Sequence, residues 1–370
     1  MILSMFSAAF SAVGCVTAML LVASCGPSAV DQEKNAAERV LSLSVQRSLP
    51  LVKNSALPVA YSNGLIQTTG SGGVRALDAQ LREHWKVKLE SFDFSGGASV
   101  FNDYLLLASH EGHVFCLNIM TGGVLWKKSL EGTFSHSPLC GMIDSNPVVW
   151  LLSQSDGVLH ALNMADGTLL WSGKETNRSD GGALLWRRKL AYGNCDGAVY
   201  LFSAKDGKQT SSISIGGSDQ MAGTPLANPE GQLWIGTRAG RLALVDLNSE
   251  KLVGTLKISE SEAFVAPVQA FDDTVAVGVS EGRVLLCRAE GGQPLIFKES
   301  ILAGGVDALL FDGTLLYVLA EGTLYALNSE LGIKASLNVG DKADGMVELS
   351  YGVLAVRADR SLLLIKGEWK

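Results

Sequence analysis

The amino-acid sequence predicts an all-β protein, an eight-bladed β-propeller of four-stranded antiparallel blades. The main observation is a recurring phrase in which an acidic residue and a glycine precede an apolar stretch, a Gly-containing turn and a Trp. Its clearest copies run from Glu111 to Trp126 and from Asp156 to Trp171. Degenerate copies place the first turn at Gly72, Gly197, Gly240, Gly282 and Gly322, and at Asp359-Arg360 without the glycine. The eight positions are 38 to 45 residues apart, and such a period indicates one repeated supersecondary unit.

Each unit is predicted to contain four short strands. In the second copy these strands are Ala98–Phe101, Tyr104–Ala108, His113–Asn118 and Val124–Ser129. Glu111-Gly112 forms the central hairpin turn, where glycine adopts positive φ without steric cost. The seventh copy repeats this arrangement, with turns at Asp312-Gly313, Glu321-Gly322 and Gly332. No stretch after residue 40 shows a helical apolar period. A single blade cannot bury both of its faces, whereas a ring of eight can.

The sequence also predicts how the ring closes. The eighth copy has strands at Met346–Leu349, Val353–Val356 and Ser361–Ile365, and too few residues follow for a turn and a fourth strand. Val40–Val45 alternates apolar and polar residues, as a half-buried strand does, and belongs to no copy. We therefore expect this segment to supply the outer strand of the last blade, which removes an open sheet edge.

Composition bounds the function classes. With 47% hydrophobic and 18% charged residues, the chain can bury a large core, and its net charge of −7 argues against wholesale binding to nucleic acid or to an anionic membrane. Six cysteines are present without a CxxC or an adjacent pair, so no disulfide framework is indicated. Cys116 and Cys287 lie in third strands, where we expect them to pack in the core.

The first 24 residues carry no charged side chain and indicate a secretory signal or a membrane anchor. The end of this segment, Leu21-Val22-Ala23-Ser24-Cys25, resembles a bacterial lipobox. That resemblance implies a signal peptide over residues 1–24 and a lipid such as palmitate on Cys25. Residues 25–39 then form a polar tether, and residues 40–370 form the propeller. The alternative is an uncleaved helix long enough to span a bilayer.

The phrase from Gly157 to Trp171 resembles the repeat of pyrroloquinoline-quinone (PQQ)-type propellers. Eight such repeats, the lipobox, the tether and the missing last strand together resemble the BamB family of outer-membrane assembly lipoproteins, over nearly the whole chain. Gly26 follows the cysteine, so the Asp that retains a lipoprotein at the inner membrane in well-studied bacteria is absent. The resemblance implies a non-catalytic scaffold on the outer membrane, facing the periplasm, that binds the barrel-inserting subunit, BamA.

The same resemblance implies a partner-binding stretch. In the family, a Leu-Arg-Gly-Glu-Ser stretch opening the fourth blade contributes to the contact with BamA. The matching residues here are 177–181, in which Arg178 and Asp180 keep the basic-x-acidic pattern and Asn177 replaces the apolar residue. Asn177, Arg178 and Asp180 are therefore the implied partner-binding residues. The alternative for Arg178 is a solvated loop arginine.

A second family feature is only partly present. The family places an acidic pair shortly before the Thr-Pro that opens the next blade. Here Gln220 and Ala222 occupy those places before Thr224-Pro225, and Asp219 is only adjacent. A basic run, Trp186-Arg187-Arg188-Lys189, is interpreted as the first turn of blade four rather than as a binding patch.

The residues favour no catalytic, cofactor or metal site. His110-x-x-His113 brackets a hairpin turn, where two imidazoles can point apart, and no Cys or further His lies near it. Asp166-Gly167 and Asp272-Asp273 occupy predicted turns, which favour Asp for backbone reasons. Two alternative functions stay open. One is a propeller that binds another cell-envelope ligand, a polysaccharide or a peptide. The other is a PQQ-dependent oxidoreductase, although such enzymes stack the quinone on a vicinal disulfide that this sequence cannot form.

Overall fold

The computed structural model describes residues 41–52, 54–62, 64–216, 219–260, 267–349 and 353–369. These residues form 32 strands in eight four-stranded antiparallel sheets. Among them there is no helix that is long and apolar enough to cross a membrane. The signal peptide and tether that the sequence predicts, including Cys25, lie outside the described residues, as does Val40.

The sheets follow one another along the chain as blades. The strands of blades one to four are β2 Val59–Tyr61, β3 Gly64–Thr68, β4 Gly73–Asp78, β5 Glu83–Lys88; β6 Ala98–Phe101, β7 Tyr104–Ala108, β8 His113–Asn118, β9 Val124–Ser129; β10 Leu139–Ile143, β11 Asn146–Leu152, β12 Leu159–Asn163, β13 Leu169–Ser172; and β14 Leu184–Trp186, β15 Lys189–Gly193, β16 Ala198–Ser203, β17 Gln209–Ser214. Those of blades five to seven are β18 Met221–Ala227, β19 Gln232–Thr237, β20 Arg241–Asp246, β21 Lys251–Lys257; β22 Val268–Gln269, β23 Val275–Gly278, β24 Arg283–Glu290, β25 Gln293–Ile301; and β26 Val306–Phe311, β27 Leu316–Ala320, β28 Thr323–Leu327, β29 Ile333–Asn338. Blade eight contains β30 Ala343–Leu349, β31 Val353–Ala358 and β32 Ser361–Trp369, together with β1 Leu41–Pro50.

The predicted repeat is confirmed at the level of single turns. The four strands expected in the second copy have the predicted bounds. The glycine of the repeated phrase has positive φ in each of the seven copies that carry it, for example 85° at Gly112. In the eighth copy, Asp359 has φ 47° instead. Aspartate tolerates the left-handed region better than most side chains do, so the turn forms without a glycine.

The ring closes through β1, as the sequence predicts. β1 pairs antiparallel with β32 from Leu41 opposite Trp369 to Pro50 opposite Ser361, with a shift in register between Val45 and Arg47. The strand extends five residues beyond the predicted end at Val45. Residues 44–48 are exposed on this outer edge, so this part of the strand does not need alternating apolar and polar residues. A prediction based on that alternation therefore misses the second half of the strand.

The core is divided among the junctions between blades. Eight clusters of buried apolar side chains each join two successive blades. At the closing junction, Leu65 and Leu77 of blade one pack with Leu349 and Leu362 of blade eight. Cys116 and Cys287 are fully buried, which confirms that they pack in the core. Each blade therefore obtains its hydrophobic stabilisation from both neighbours.

The Trp of the repeated phrase connects one blade to the next. Trp126, on the outer strand of blade two, donates its indole N–H to the carbonyl oxygen of Met164 in blade three at 2.8 Å. Trp85 makes the same bond to Ile119 of blade two at 2.9 Å. The Trp126 ring lies against Gly167, where a Cβ atom would come within 2.7 Å of the ring. The glycine is thus required twice, for its φ of 72° and for the space that the indole fills.

Removal of residues 41–45 should destabilise the last blade. The deletion eliminates the first half of the β1–β32 ladder together with Leu41, which is 5% exposed in the junction between blades seven and eight. We expect a lower melting temperature and concentration-dependent association, because β32 becomes an open edge. Thermal unfolding and size-exclusion chromatography measure these effects. Deletion of residues 30–34 serves as the length control, and a 41–45 deletion variant that stays monomeric with an unchanged melting temperature would contradict the closing role.

Gly167→Ala should be more destabilising than Gly292→Ala. Both glycines occupy the turn between the third and fourth strands of a blade and have positive φ, 72° and 81°. A Cβ atom at Gly292 meets no described atom within 4 Å, whereas one at Gly167 meets the Trp126 ring. Backbone strain alone should cost about 1–2 kcal/mol in Gly292→Ala. Overpacking should add about 1–3 kcal/mol in Gly167→Ala. Chemical denaturation checks this, and equal losses would show that the indole contact does not constrain the turn.

Candidate functional site

One face of the propeller carries the connections between blades. Because successive strands are antiparallel, the turn between the second and third strands and the connection from the fourth strand to the next blade lie at the same end of the sheet. We call this end the connection face. Residues 177–181 lie on it, in the connection from β13 to β14, where the resemblance places the partner-binding stretch.

The connection is held by backbone-directed hydrogen bonds. Ser179 is fully buried, and its hydroxyl donates to the carbonyl oxygen of Gly193 at 2.7 Å. Its amide donates to the Gln154 carbonyl of blade three at 3.0 Å. Gly182, which follows this stretch, contacts blade five, because its amide donates to Thr224 Oγ1 at 3.1 Å. The residue that follows the 177–181 stretch is therefore in contact with Thr224, which is 42 residues further along the chain.

Asp180 is the centre of the charge network in this connection. Its side chain is 14% exposed, and its two oxygens accept from Arg178 Nε at 2.6 Å and from Arg238 Nη2 at 3.0 Å. Gln154 Nε2 lies 3.4 Å from Asp180 Oδ1. Burial acts to raise the pKa of Asp180, but the hydrogen bonds and charges of the two arginines outweigh it and hold this pKa below its ordinary value. The carboxylate is thus ionised at neutral pH and orients two guanidinium groups.

The two arginines are the exposed part of the cluster. The Arg178 side chain is 59% exposed and that of Arg238 is 50% exposed. Guanidinium groups held in place by a carboxylate can still donate several hydrogen bonds to a bound molecule. Asn177 lies beside this cluster but is directed elsewhere, since its Nδ2 donates to Asp196 Oδ1 at 2.5 Å. The structure therefore brings Arg178 and Asp180 together and leaves Asn177 at the edge.

Arg238 was not identified from the sequence. It precedes the Ala239-Gly240 turn of blade five, where most copies of the phrase carry an acidic residue next to the glycine. In blade five that place is taken by Ala239, and the missing acidic residue is a signal that marks this turn as unusual. Its partner Asp180 is 58 residues away along the chain, so the pairing depends on how blades four and five are placed.

The residues before Thr224-Pro225, where the family has an acidic pair, differ in this protein. Asp219 is buried, accepts from the Ala239 amide at 3.0 Å and pairs with Arg241 at 2.8 Å. Gln220 is exposed, and Asp219 is committed to contacts within blade five. The two places of the family's acidic pair are therefore occupied by neutral residues, Gln220 and Ala222.

The remaining candidates have structural roles. Arg187-Arg188 forms the turn between β14 and β15, as the sequence predicts, and Arg188 pairs with Asp144 at 2.9 Å. Asp166-Gly167 and Asp272-Asp273 are also turns. His113 Nδ1 lies 2.9 Å from Ser129 Oγ, with the ring against Phe92, while His110 is exposed. The described residues contain no group of three or more His, Cys, Asp or Glu side chains placed to hold a metal.

The cysteines of the propeller do not resemble nucleophiles. Burial raises the pKa of Cys116, Cys140 and Cys287 to about 12. Burial, followed by the Asp180 carboxylate, also raises the pKa of Cys195, which lies next to the cluster. Reactive thiols need the opposite shift. These four residues are free thiols.

The fold and the repeat define the class first, which is an eight-bladed β-propeller with PQQ-like repeats. Residues 70–295 match the family model described as outer membrane protein assembly factor BamB. The match covers more than half of the chain, and this protein belongs to that family.

Individual relatives agree with the assignment. The chain is 23% identical over 305 residues to the outer membrane protein assembly factor BamB of Yersinia pestis. This alignment covers 74% of each chain. The chain is 25% identical over 291 residues to the protein of the same name from Moranella endobia (strain PCIT), which covers 69% of this chain and 71% of the other. The crystal structure of BamB from Moraxella catarrhalis has a TM-score of 0.71 at 18% identity and covers 88% of this chain and 97% of that one. That last likeness concerns the fold alone.

Proposed function

We propose that this protein is a non-catalytic scaffold of the machinery that assembles outer-membrane β-barrel proteins. The observation that carries the proposal is the family match over residues 70–295, which runs from the second half of blade one through most of blade six. The relatives are named assembly factors. The described residues supply no metal cluster and no thiol with a lowered pKa. A quinone enzyme of this fold is disfavoured because no two cysteines of the sequence are adjacent.

The proposed partner is a BamA-like, barrel-inserting subunit bound at the connection face. The Arg178–Asp180–Arg238 cluster supports this site, because it combines two exposed cations with a carboxylate that fixes their orientation. Such a surface favours acidic side chains on the partner. Asn177 contributes at the edge, where Asp196 orients it.

The proposed location is the outer membrane, with the propeller in the periplasm and a lipid on Cys25. The support is the lipobox of the sequence and the family match. Residues 1–24 act as the signal peptide in this proposal, residues 25–39 as the tether, and residues 40–370 as the propeller.

Arg178→Ala should weaken partner binding and leave the propeller intact. If Arg178 becomes buried against an acidic group of the partner, its loss should cost about 2–5 kcal/mol of binding free energy. The change in the free energy of unfolding should stay within about 1 kcal/mol, because the ion pair is exposed. Affinity for the purified barrel subunit, measured by interferometry, and thermal unfolding test both parts.

Arg82→Ala is the matched control. Arg82 pairs with Asp78 at 2.6 Å, and the two side chains are 66% and 16% exposed, close to the values of the Arg178–Asp180 pair. This pair lies in the turn between β4 and β5, on the face opposite the connection face. The control should bind the partner normally. Full binding by Arg178→Ala, or an equal loss in both variants, would refute the proposed site. Failure of the unmodified protein to bind any barrel subunit would refute the function itself.

Cys25→Ser should abolish anchoring. Without the thiol no lipid can be attached, so we expect the protein in the soluble periplasmic fraction rather than in the outer-membrane fraction. Cys15→Ser, in the same apolar segment, should leave the distribution unchanged. Mass spectrometry of the mature N-terminus provides the direct measurement, and an intact Met1 in the membrane fraction would show an uncleaved anchor instead.

A further inference from the structure

A cavity of about 190 Å³ lies on blade one, at the end that belongs to the connection face. Its walls include Gln67, Arg75, Lys86 and Lys88, and Val52 of the segment after β1 also lines it. Leu65 and Leu77, on the same face of blade one, pack against blade eight. The cavity therefore opens beside the junction where the ring closes.

Its polar wall is a single row across three strands. Gln67 of β3 is opposite Arg75 of β4, and Arg75 is opposite Lys86 of β5. Gly73 is opposite Lys88 one step along the same face. Since residues opposite one another on a sheet face lie side by side, three cationic side chains and one amide line the same space.

This row departs from the rest of the propeller. The residues equivalent to Gln67 and Arg75 in the other seven blades are apolar or aromatic, apart from His160. Examples are Leu107 with Phe115 in blade two, and Val356 with Leu363 in blade eight. The position of Gly73 carries a side chain in every other copy of the phrase. Blade one has thus exchanged an apolar pair for a polar one and lacks the side chain that would partly fill the space.

Two groups of the row lack an adequate partner. Gln67 is 1% exposed, and its Oε1 accepts from Arg75 Nε at 2.7 Å, which fixes the orientation of the amide. Its Nε2 is left without a hydrogen-bond acceptor among the described residues. The Arg75 side chain is 19% exposed, and its ion pair with the largely exposed Glu83 is long, at 4.0 Å. Arg75 Nη2 also donates to the Pro50 carbonyl oxygen at 3.3 Å.

The charge of the cavity is only partly compensated. None of the described residues that line it carries a carboxylate. Burial lowers the pKa of Arg75, and Glu83 opposes this only in part. Removing a guanidinium from water is costly when its ion pair is long, and Arg75 is partly buried with its carboxylate partner 4.0 Å away.

We propose that this cavity is an oxyanion site that takes a phosphate group, either of a lipid headgroup or of free phosphate. Arg75 would form the inner contact, and Lys86 and Lys88, both exposed at the rim, would close over the outer oxygens. A phosphate fits because it accepts hydrogen bonds from several directions and matches the guanidinium geometry. The hydroxyl of Ser71 adds a donor at the wall.

The test uses the full chain in a non-ionic detergent at constant ionic strength. Three probes are titrated separately: inorganic phosphate, dihexanoyl phosphatidylglycerol and dihexanoyl phosphatidylcholine, the lipids below their micelle concentration. The side-chain Nε–H signal of Arg75, assigned from an Arg75→Lys sample, reports occupancy by NMR. We expect a saturable shift with at least one of the two anionic probes. The tighter of them identifies the source, free phosphate or lipid.

Two variants and a control separate the site from general charge. Gln67→Leu with Arg75→Phe copies the pair of blade two and should fold normally. Lys86→Gln with Lys88→Gln keeps the buried pair and its bond to Pro50. Calorimetry should show an affinity at least about tenfold weaker in each, the loss of one or more charge-assisted hydrogen bonds. Lys127→Gln with Lys128→Gln removes the same charge from the outer strand of blade two and should bind like the parent.

Four results would overturn the proposal. They are the absence of a saturable shift with both anionic probes, equal binding of the zwitterionic lipid, an equal loss in the blade-two control, and unchanged affinity in the two site variants. If the Leu–Phe variant fails to fold, the lysine variant decides the outcome by itself.

Discussion

The pairing of β1 with β32 is the interaction on which the rest of the structure depends. Blade eight has only three strands from the end of the chain, and its fourth strand comes from residues 41–50. Blade eight in turn supplies one side of two apolar junctions, with blade seven through Leu41 and Tyr317 and with blade one through Leu362 and Leu65. Loss of the closing strand would thus weaken two of the eight junctions.

The repeated phrase recurs because its residues make these junctions. Each Trp reaches into the next blade, where its ring needs a glycine beneath it and its N–H needs a carbonyl oxygen. The third Trp satisfies only the first need. Trp171 lies on Gly207, but its N–H has no acceptor among the described residues, while the Ala204 carbonyl, at the corresponding position, accepts from Trp150 at 3.1 Å. Ring packing is thus kept at all three sites even where the hydrogen bond is not, which indicates that the apolar contact is the more important part.

The sequence predicted the fold well because local patterns carry it. Turn glycines and alternating strands specify each blade, and their spacing specifies the number of blades. The outer strand was underestimated where Gln46 and Arg47 face solvent, since an exposed edge has no pattern to detect. The candidate site was predicted in part. Family resemblance led to Arg178 and Asp180, but not to Arg238, because a charge pair between two blades depends on three-dimensional placement. The pairing of Asp219 with Arg241 within blade five was also not predicted.

The residues that depart from the repeat are the ones that the stability of the propeller does not explain. The ring needs apolar residues at each junction and glycines at each turn, so a charge at such a position lowers stability unless something else offsets it. Arg238 occupies a position where the other copies carry Gly, His, Ser, Cys or Ala. It pairs with Asp180, and that contact accounts for it within the chain. Gln67 and Arg75 replace an apolar pair and are only partly satisfied within the chain. The first departure is explained by an internal partner that leaves two cations exposed, whereas the second is the basis of the proposed anion site. The propeller thus combines a frame set by the repeat with two proposed recognition surfaces, each at a position that breaks the repeat.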